Sequence, residues 1–552
     1  MIADIHITEK SFGDKTLMKD VKFSVDDGEK VGVVGRNGVG KSTLFGILSG
    51  KDTDYTGEVI FRRGITVATT AQEHHGLGDQ TVMSYILGGL PEYSKLKKII
   101  DEYPLTMGDN MRKIEEYTQA LERFDQKGFY QVEEKLEREL SNFQLDGFGD
   151  RKISSLSGGQ KRLVEIVKIM HSEAHLALID EPTNHMDYVA KQQFIDWMNS
   201  QPHQAMLIIT HDRDVLEQVD RIVEIKDGQA VSYRGNYDAY LKQNAQATTA
   251  GMNNFEQIEK RIVNLKQKVL DYQRLKEKSR NPGTIQKFKR LENEARAELA
   301  ELSEMEKPTF WIDKESVGQL DYKSAERYGK FKSRNIRLSM KDASSRSQHV
   351  LVRAENVAVG IGERILFEDV NIDLREGEAI EIRGRNGAGK TTLIRMILAS
   401  GKSFDGGSVL YSGDIFLDPQ VRIGVYEQEI DERYLSDPLE KAIEKLYMSR
   451  DLSISDTKIR QLLADYLFTD ADRMTPLARL SGGQKARFQI IAMLANDPQL
   501  LILDEPTNHL DLPSIEELET ALVKYSGAIL YVSHDNYFRE KLGGKVVQIG
   551  AE

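Results

Sequence analysis

VGVVGRNGVGKSTL, residues 31–44, runs from an apolar segment through a glycine-rich turn to Lys41 and Ser42. Glycines let successive backbone N–H groups point into one cavity, and a following helix adds its positive N-terminus. The lysine can then reach the outer phosphates of a nucleotide, and the hydroxyl can ligate Mg²⁺. The stretch therefore predicts a strand, a phosphate-binding loop and a helix.

Four motifs of the chain occur twice and in the same order. A single phosphate-loop match could be a turn that binds nothing, but the ordered duplication favours two nucleotide-binding α/β domains. The pairs are VGVVGRNGVGKSTL (31–44) and IEIRGRNGAGKTTL (380–393), LSGGQKR (156–162) and LSGGQKAR (480–487), LALIDEPTNHMD (176–187) and LLILDEPTNHLD (500–511), and IITHD (208–212) and YVSHD (531–535).

Two carboxylates follow one buried-strand pattern in each half. Asp180 and Asp504 end the apolar runs and are suited to hold Mg²⁺ through its water shell. Glu181 and Glu505 come next, where a carboxylate can accept a proton from an attacking water. A lone carboxylate at a strand end is more often solvated or a helix cap, so the prediction depends on its occurrence in both halves.

One histidine follows a further apolar run in each half. An isolated His211 or His534 would be interpreted as a polar residue with satisfied hydrogen bonds. The same position in both repeats favours contact with the γ-phosphate instead.

The first half contains an insertion. It carries 32 more residues between Gln72 and its LSGGQ motif than the second half carries after Gln428. Apolar residues at helical spacing predict a helical pair, interpreted as an arm-type insertion at about 92–145; a subdomain packed on its own cassette is the alternative. The stripes are Ile114, Tyr117, Leu121 and Phe124, then Phe129, Val132, Leu136, Leu140 and Phe143.

A second helical segment lies between the halves. Apolar steps of three and four predict an antiparallel helical hairpin, with a turn at Asn281-Pro282-Gly283 and a stop at Pro308. The stripes are Phe255, Ile258, Ile262, Leu265, Val269 and Tyr272, then Phe288, Leu291, Ala295, Leu299 and Leu302.

The tip of this hairpin, about residues 276–290, is basic in an acidic chain. Eleven Lys or Arg lie between Lys260 and Arg290 against two acidic residues, whereas the whole chain has a formal charge of −12. A charge run is usually a solvated helix face, but clustering at a rigid turn favours contact with RNA phosphates. Phe288 could stack on an exposed base, but its place on the apolar stripe favours packing. The candidate RNA-binding residues are Lys278, Arg280, Lys287, Lys289 and Arg290.

Composition limits the remaining possibilities. The 552-residue chain contains no cysteine, which excludes disulfides, thiolate metal sites and cysteine nucleophiles. No apolar run approaches the ~18 residues of a membrane helix, and the first residues lack a signal-peptide pattern, so we expect a cytoplasmic protein. The acidic net charge argues against a general nucleic-acid coat, so any such contact must be local.

The phosphate loop, glutamine, LSGGQ, Asp-Glu pair and histidine together resemble the nucleotide-binding domain of ATP-binding cassette proteins. Two such domains, the motifs EPTNHMD and EPTNHLD, a helical linker and no membrane span are similar to the ABC-F subfamily, soluble ATPases that act on ribosomes. The resemblance covers nearly the whole chain. It implies ATP and Mg²⁺ as cofactors, ATP hydrolysis, and a monomer whose two cassettes close head to tail.

The resemblance also implies two composite sites, in which nucleotide on Lys41 is completed by Ser481 and nucleotide on Lys390 by Ser157. The implied nucleotide-binding residues of the first half are Phe12, Gly35, Asn37, Gly38, Gly40, Lys41, Ser42, Thr43, Gln72, Ser157, Gly158, Gly159, Gln160 and Asp187. Those of the second half are Ile361, Gly384, Asn386, Gly387, Gly389, Lys390, Thr391, Thr392, Gln428, Ser481, Gly482, Gly483, Gln484 and Asp511. The implied metal ligands are Ser42, Gln72, Asp180, Thr391, Gln428 and Asp504.

One position departs from the family pattern. Phe12 matches the aromatic residue that often stacks on adenine, whereas alignment of Asp20 with Asp369 places Ile361 at the second site. Isoleucine can cover the base without stacking on it, so we expect weaker nucleotide binding there.

The expected domains are a first cassette at 1–240, a helical hairpin linker at 241–320, a connector at 321–347 and a second cassette at 348–552. The resemblance implies an ATPase that binds the ribosome near the tRNA exit site and acts through the linker on peptidyl-tRNA and the peptidyl-transferase centre. A housekeeping translation factor, which the compact hairpin turn favours, and an antibiotic-resistance factor that protects the ribosome both remain open.

Two further functions are alternatives. A DNA-associated ATPase of the same subfamily would be expected to carry a basic coiled coil after the second cassette, which this sequence does not show. An ATPase that energises a transporter would have no use for the helical hairpin.

Overall fold

A computed structural model of the protein describes residues 1–12, 15–70, 79–108, 110–184, 186–305, 307–320, 322–338, 349–400, 408–427 and 430–550. The chain forms two compact units, one of Met1–Tyr237 with Ile336–Glu552 and one of Asp238–Asn335. The first unit therefore contains both copies of the repeated motifs.

The first half alternates strands and helices, as expected for an α/β domain. Its strands are β1 (Ala3–Phe12), β2 (Lys15–Val25), β3 (Lys30–Val34), β4 (Thr56–Phe61), β5 (Val67–Thr69), β6 (Leu176–Asp180), β7 (Ala205–Ile209), β8 (Arg221–Lys226) and β9 (Gln229–Arg234). Its helices are α1 (Lys41–Leu48), α2 (Val82–Leu87), α3 (Tyr93–Thr106), α4 (Met111–Gln126), α5 (Val132–Asn142), α6 (Gly158–Met170), α7 (Tyr188–Ser200) and α8 (Arg213–Leu216), with 3-10 turns at Phe129–Gln131 and Ile153–Ser155.

A six-stranded sheet in the order β5-β6-β7-β3-β8-β9 forms the centre of this half. All but β9 pair in parallel, and β6 and β7 are buried along their whole length, as continuous apolar runs in parallel sheets are. A separate antiparallel sheet has the order β2-β1-β4. Because β6, β7 and β3 are neighbours, their carboxyl ends bring Asp180, His211 and the phosphate loop to one edge.

The second half repeats this architecture. Its strands are β10 (Val350–Ile361), β11 (Arg364–Arg375), β12 (Ala379–Arg383), β13 (Ser408–Leu417), β14 (Ile423–Tyr426), β15 (Leu500–Asp504), β16 (Ala528–Val532) and β17 (Lys545–Gln548), in sheets ordered β14-β15-β16-β12-β17 and β11-β10-β13. Between the halves lie α9 (Tyr237–Lys278), α10 (Pro282–Glu304), α11 (Lys314–Gln319) and α12 (Tyr322–Phe331). The helices of the second half are α13 (Lys390–Leu398), α14 (Glu432–Leu435), α15 (Leu439–Met448), α16 (Asp456–Asp465), α17 (Asp470–Arg473), α18 (Gly482–Leu494), α19 (Leu512–Val523) and α20 (Asn536–Leu542), with a 3-10 turn at Leu477–Arg479. The prediction of two tandem α/β cassettes is confirmed.

The insertion of the first half is only partly an arm. Leu136 and Leu140 on α5 are fully buried in the core that also contains α6 and α7. Helices α3 and α4 pair through rings at one end, where Tyr93 lies 5.7 Å from Phe124. At their other end Leu105 is 87% exposed, so only the far half of this helix pair is free of the core. The expected arm at 92–145 therefore includes α5, which the structure places in the cassette core.

The unit at Asp238–Asn335 contains α9 (Tyr237–Lys278), α10 (Pro282–Glu304), α11 (Lys314–Gln319) and α12 (Tyr322–Phe331). Helices α9 and α10 are antiparallel, since Arg261 pairs with Glu298 at 2.7 Å and Lys276 with Glu292 at 2.6 Å. Asn281 caps α10 through its side chain and Pro282 occupies the first turn, as the turn signal predicts.

Two small cores stabilise this unit. The apolar stripes meet in one, at Leu265, Val269 and Ala295. In the other, Met252 on α9 packs with Tyr328 and Phe331 on α12. The unit therefore extends beyond residue 320, and the segment expected as a connector at 321–347 contributes a packed helix to it.

Candidate active site

Each phosphate loop depends on glycine. Gly40 and Gly389 have φ of 101° and 99°, in the left-handed region that favours glycine, and each is the N-cap of the helix that follows. Glycine has no side chain to accept the first N–H groups of the helix, so these donors face the loop. The amines of Lys41 and Lys390 donate to the carbonyl oxygens of Gly35 and Gly384 at 2.6 and 2.8 Å.

Burial shifts the pKa of both loop lysines downwards. Loss of hydration lowers the pKa of Lys41 and of Lys390, although the charges of the nearby glutamates, Glu181 and Glu505, oppose the shift. An ammonium group in a poorly hydrated cavity interacts strongly with an anion, because little solvent screens it. Both loops are thus electrostatically suited to phosphate.

A hydroxyl and an aspartate meet beside each loop. Ser42 Oγ donates to Asp180 Oδ2 at 3.1 Å, and Thr391 Oγ1 to Asp504 Oδ2 at 2.8 Å. Asp504 Oδ1 is buried without a hydrogen-bond partner among the described residues, and burial raises the pKa of Asp504 to about 6. A buried, unpaired carboxylate oxygen is stabilised by a cation. These oxygen ligands fit Mg²⁺.

Glu181 and Glu505 have an uncommon backbone conformation. Their φ values are 46° and 51°, which costs an ordinary residue ~1 kcal/mol or more. The N–H of Glu181 donates to the carbonyl oxygen of Ile209 at 2.7 Å, and that of Glu505 to Val532 at 3.0 Å, so neighbouring strands hold both residues in place. The occurrence of the same strain in both halves indicates that the direction of the carboxylate matters.

A histidine ring lies against each of these glutamates. His211 Nε2 is 3.5 Å from Glu181 Oε1, and His534 Nε2 is 3.3 Å from Glu505 Oε1. Burial lowers the pKa of both histidines to about 3, so the rings are neutral and the contacts are not ion pairs. Burial also raises the pKa of both glutamates, which makes each carboxylate a better proton acceptor.

The two halves meet through their phosphate loops. The N–H of Asn37 donates to Asp511 Oδ2 at 3.1 Å, and the N–H of Asn386 donates to Asp187 Oδ2 at 3.2 Å. Each aspartate also caps a helix through its other oxygen, α19 for Asp511 and α7 for Asp187. Each site therefore contains residues of both cassettes, in a head-to-tail arrangement.

The LSGGQ motif of the second half lies beside the first phosphate loop. A Cβ atom at Gly483 would be 2.0 Å from Asn37 Nδ2, and this amide donates to the carbonyl oxygen of His509 at 2.9 Å. Only glycine leaves room for this contact. Ser157 and Ser481 both form capping boxes with the glutamine three residues later, so the motif starts helices α6 and α18.

Two contacts of Asp187 were not predicted from the sequence. Arg385 Nε lies 3.4 Å from Asp187 Oδ2, and Gln144 Nε2 donates to the same oxygen at 2.6 Å. The GRNG motif occurs in both phosphate loops, so a role for Arg385 could have been predicted from the repeat. Gln144 lies in no repeated motif, so its contact could not.

The remaining predicted nucleotide residues fall into three groups. Phe12 and Ile361 end β1 and β10, the first strands of the two halves, and both are exposed. Gln72 and Gln428 lie outside the described residues. The others occupy the loops or first helical turns, namely Gly38, Thr43, Gly158, Gly159, Gln160, Gly387, Thr392, Gly482 and Gln484.

The five candidate RNA-binding residues at the hairpin tip are all exposed. Arg290 pairs with Glu294 at 2.8 Å. The other four, Lys278, Arg280, Lys287 and Lys289, have no ion-pair partner in the described part of the chain. Phe288 stacks on Tyr272 with ring centroids 6.3 Å apart, which favours packing over base stacking. Across the described ranges no helix is long and apolar enough to cross a membrane.

The chain is similar in sequence to known proteins. The model of the ABC transporter family matches residues 18–184 and 367–508. The putative ATP-binding protein YdiF of Bacillus subtilis is 30% identical over 100% of this chain and 80% of its own length. The energy-dependent translational throttle protein EttA of Mycobacterium tuberculosis is 28% identical over 96% of this chain and 88% of its own length. The ribosome protection protein VmlR of Bacillus subtilis is 28% identical, with coverages of 96% and 83%.

The matched regions contain both phosphate loops and both Asp-Glu pairs, and the relatives match nearly the whole chain, including the helical hairpin. From these matches and the paired cassettes we conclude that the chain belongs to the ABC-F subfamily of ATP-binding cassette proteins and is an ATPase.

Proposed function

We propose that this ATPase is a translation factor that binds the ribosome near the tRNA exit site and acts through its helical hairpin on peptidyl-tRNA and the peptidyl-transferase centre. The similarity to a translational throttle protein and to a ribosome protection protein supports a ribosomal partner. The observation that carries the proposal is the group of exposed basic residues at the hairpin tip, four of which have no ion-pair partner within the described ranges.

The chain's own residues have distinct roles in hydrolysis. Lys41 and Lys390 bind the outer phosphates, and the hydroxyl-aspartate pairs beside them hold Mg²⁺, which neutralises phosphate charge. Glu181 and Glu505 orient the attacking water and accept its proton, while the adjacent neutral histidines contact the γ-phosphate. Asp187 and Asp511 link each phosphate loop to the opposite cassette.

The basic residues of the hairpin fall into two groups, those in ion pairs within the hairpin and those available to a partner. Arg261 and Arg296 on its sides, and Lys276 at the start of the tip, pair with acidic residues of the opposite or the same helix. At the tip, Lys278 and Lys289 have no such partner in the described residues and are exposed. A solvated helix face would be expected to mix both signs of charge, whereas RNA phosphates favour unpaired cations at the end of a rigid turn.

Charge reversal tests this role. The variant with Arg280, Lys287 and Lys289 changed to Glu should keep its ATPase activity in the free protein and lose its effect on translation. Ribosome affinity should also become less dependent on salt, because fewer counterions are released. The matched control reverses Lys260, Lys266 and Lys268, which are exposed on the side of α9.

We expect the control variant to retain most ribosome binding, since it changes net charge equally without altering the tip. The proposal fails if the tip variant supports translation as well as the parent protein does, or if both variants lose binding to the same extent.

The second candidate function is protection of the ribosome from an antibiotic. VmlR, a ribosome protection protein, is as similar to this chain as EttA is, which favours testing both. Expression in a susceptible host distinguishes them: a protection factor raises the inhibitory concentration of a ribosome-targeting antibiotic, and a housekeeping factor changes growth or translation without doing so.

A further inference from the structure

A buried lysine connects the two cassettes next to the second ATP site. Lys191 on α7 is 4% exposed, and its amine donates to Asp214 Oδ2 at 2.5 Å and to the carbonyl oxygen of His534 at 2.8 Å. The same amine lies 3.4 Å from Asp212 Oδ2. Asp212 and Asp214 follow His211 of the first site, so one ammonium group contacts the histidine segments of both sites.

The contact with His534 also bears on Glu505. The His534 N–H donates to Glu505 Oε2 at 3.1 Å, while its carbonyl oxygen accepts from Lys191. Residue 534 is therefore held from both sides, by the glutamate of its own site and by the lysine of the opposite cassette. Movement of this residue would move a donor that orients the Glu505 carboxylate.

The equivalent position in the second half cannot make this contact. Lys191 is four residues after Asp187, and Ile515 is four residues after Asp511. Ile515 is 2% exposed within the apolar core of its own cassette and has no donor for the His211 carbonyl.

One helical turn further on, the charged residue belongs to the second half and the apolar residue to the first. The position occupied by Glu519 in the second half holds Ile195 in the first. Glu519 pairs across the cassettes with Arg213 at 2.8 Å, and both side chains are buried. The buried cations at this part of the interface therefore both belong to the first cassette and reach into the second.

We propose that Lys191 is a positioning residue of the second ATP site, which transmits the conformation of the first site's histidine segment to His534 and so makes hydrolysis at the second site depend on the first cassette. The inference rests on the roles proposed above for Glu505 and His534. Hydrolysis at the second site is then controlled by a lysine that the first site lacks, although the hydroxyl, carboxylate and histidine residues of the two sites are arranged alike.

Substitution of the lysine tests the proposal one site at a time. Lys191→Met preserves the apolar stem and removes the donor; Asp212 and Asp214 are 16% and 21% exposed, so water can solvate them and the fold should persist. In the Glu181→Gln background, where the second site hydrolyses, we expect kcat to fall about tenfold with KM changed less than about twofold. In the Glu505→Gln background kcat should fall less, because the contacts of Lys191 with the first site's segment are to the side chains of Asp212 and Asp214 rather than to His211. Lys191→Arg should recover most of the lost kcat.

Arg213→Met is the matched control for kinetics. It removes a second buried cation that crosses the cassettes but makes no bond to the His534 carbonyl, so it should affect both backgrounds alike. If Lys191→Met behaves like Arg213→Met, or slows both sites equally, the proposal is overturned.

Hydrogen exchange provides a readout without nucleotide or turnover. Amides of residues 531–535 should exchange faster in Lys191→Met than in the parent, and at the parent rate in Lys191→Arg. Unchanged exchange in the methionine variant overturns the proposal. If the single Glu→Gln backgrounds retain full activity, the assigned glutamate roles are wrong, whereas the exchange result still decides the part played by Lys191.

Discussion

Asn37 and Asp511 are 474 residues apart in the chain, yet the N–H of Asn37 donates to Asp511 Oδ2 at 3.1 Å. The carboxylate also accepts the N–H of Ser514 at 3.1 Å, at the start of α19. One side chain thus fixes the start of a helix in the second cassette and the phosphate loop of the first. The contact between the cassettes and the geometry of the first ATP site therefore depend on the same carboxylate.

Removal of this carboxylate should reduce ATP hydrolysis more than it reduces stability. For Asp511→Ala we expect a loss of about 1 kcal/mol from the missing helix cap and a fall in turnover of about tenfold or more from the broken contact between the cassettes. The control Ser455→Ala also removes a cap, that of α16, but no loop contact. Thermal melts give the stability of each variant, and ATPase assays give its turnover. Equal turnover in the two variants would contradict this role of Asp511.

The two adenine positions should differ in affinity. Phe12 and Ile361 both end the first strand of their cassette, so Ile361→Tyr places an aromatic ring where Phe12 lies in the other half. Stacking on a base contributes ~1 kcal/mol or more, which corresponds to about fivefold tighter binding. Titration with a fluorescent ATP analogue in the Lys41→Ala background isolates the second site.

The reciprocal variant, Phe12→Ile in the Lys390→Ala background, should weaken the first site by a similar factor. Unchanged affinity in both variants would show that neither residue covers adenine.

The repeat made most of the fold and site predictable. Each motif encodes a local structure, such as the glycines of the phosphate loop or the capping box that starts with Ser157, and local structure follows from short spacing. The contacts of Lys191 and Gln144 were not predictable, because they join segments whose proximity only the folded pair of cassettes establishes. A lysine on an amphipathic helix is usually solvated, and the sequence contains nothing to distinguish this one.

The insertion shows a second limit of sequence patterns. A stripe at helical spacing indicates which face of a helix packs but not what it packs on. The stripe through Leu136 and Leu140 therefore fits a free arm and a core helix equally, and the buried position of α5 decides for the core.

Trimming the insertion should separate its two parts. Replacement of residues 103–115 by a short turn removes the end of α3 and α4 that contains the exposed Leu105 but keeps the core contacts of Ile99 and Ile100, so folding and basal ATPase activity should persist while ribosome binding weakens. Deletion of 109–141 also removes Leu136 and Leu140, whose burial is worth ~2–5 kcal/mol each, and should prevent folding. Circular dichroism and sedimentation with ribosomes check both outcomes.

Glu292 should make the hairpin sensitive to acid. Its bonds to Lys276 and Arg296 lower the pKa of the carboxyl group in the folded hairpin. The stabilisation is therefore present above the unfolded pKa of ~4.3 and is lost as the pH falls through the lower folded value. Glu292→Gln should reduce the exchange protection of α9 and α10 at pH 7, and its difference from the parent should shrink as the pH falls below ~4.3.

The control for this prediction is Glu294→Gln. Glu294 pairs with Arg290 on the exposed surface of α10, where solvent weakens the pair, so the control should change protection little at any pH. A pH-independent difference between Glu292→Gln and the parent would exclude titration of this carboxylate as the cause.

Sedimentation of the Glu181→Gln, Glu505→Gln double variant with ribosomes measures nucleotide-dependent ribosome binding with hydrolysis blocked at both sites. The variant keeps the lysines and the Mg²⁺ ligands but lacks both proton acceptors, so it should bind ATP, hydrolyse it very slowly and remain closed. In a sucrose gradient with ATP we expect it to move with the ribosomal fraction, and to leave that fraction when Arg280, Lys287 and Lys289 are also changed to Glu. A double variant that stays at the top of the gradient with ATP would contradict ribosome binding, and one that hydrolyses ATP at the parent rate would contradict the roles of Glu181 and Glu505.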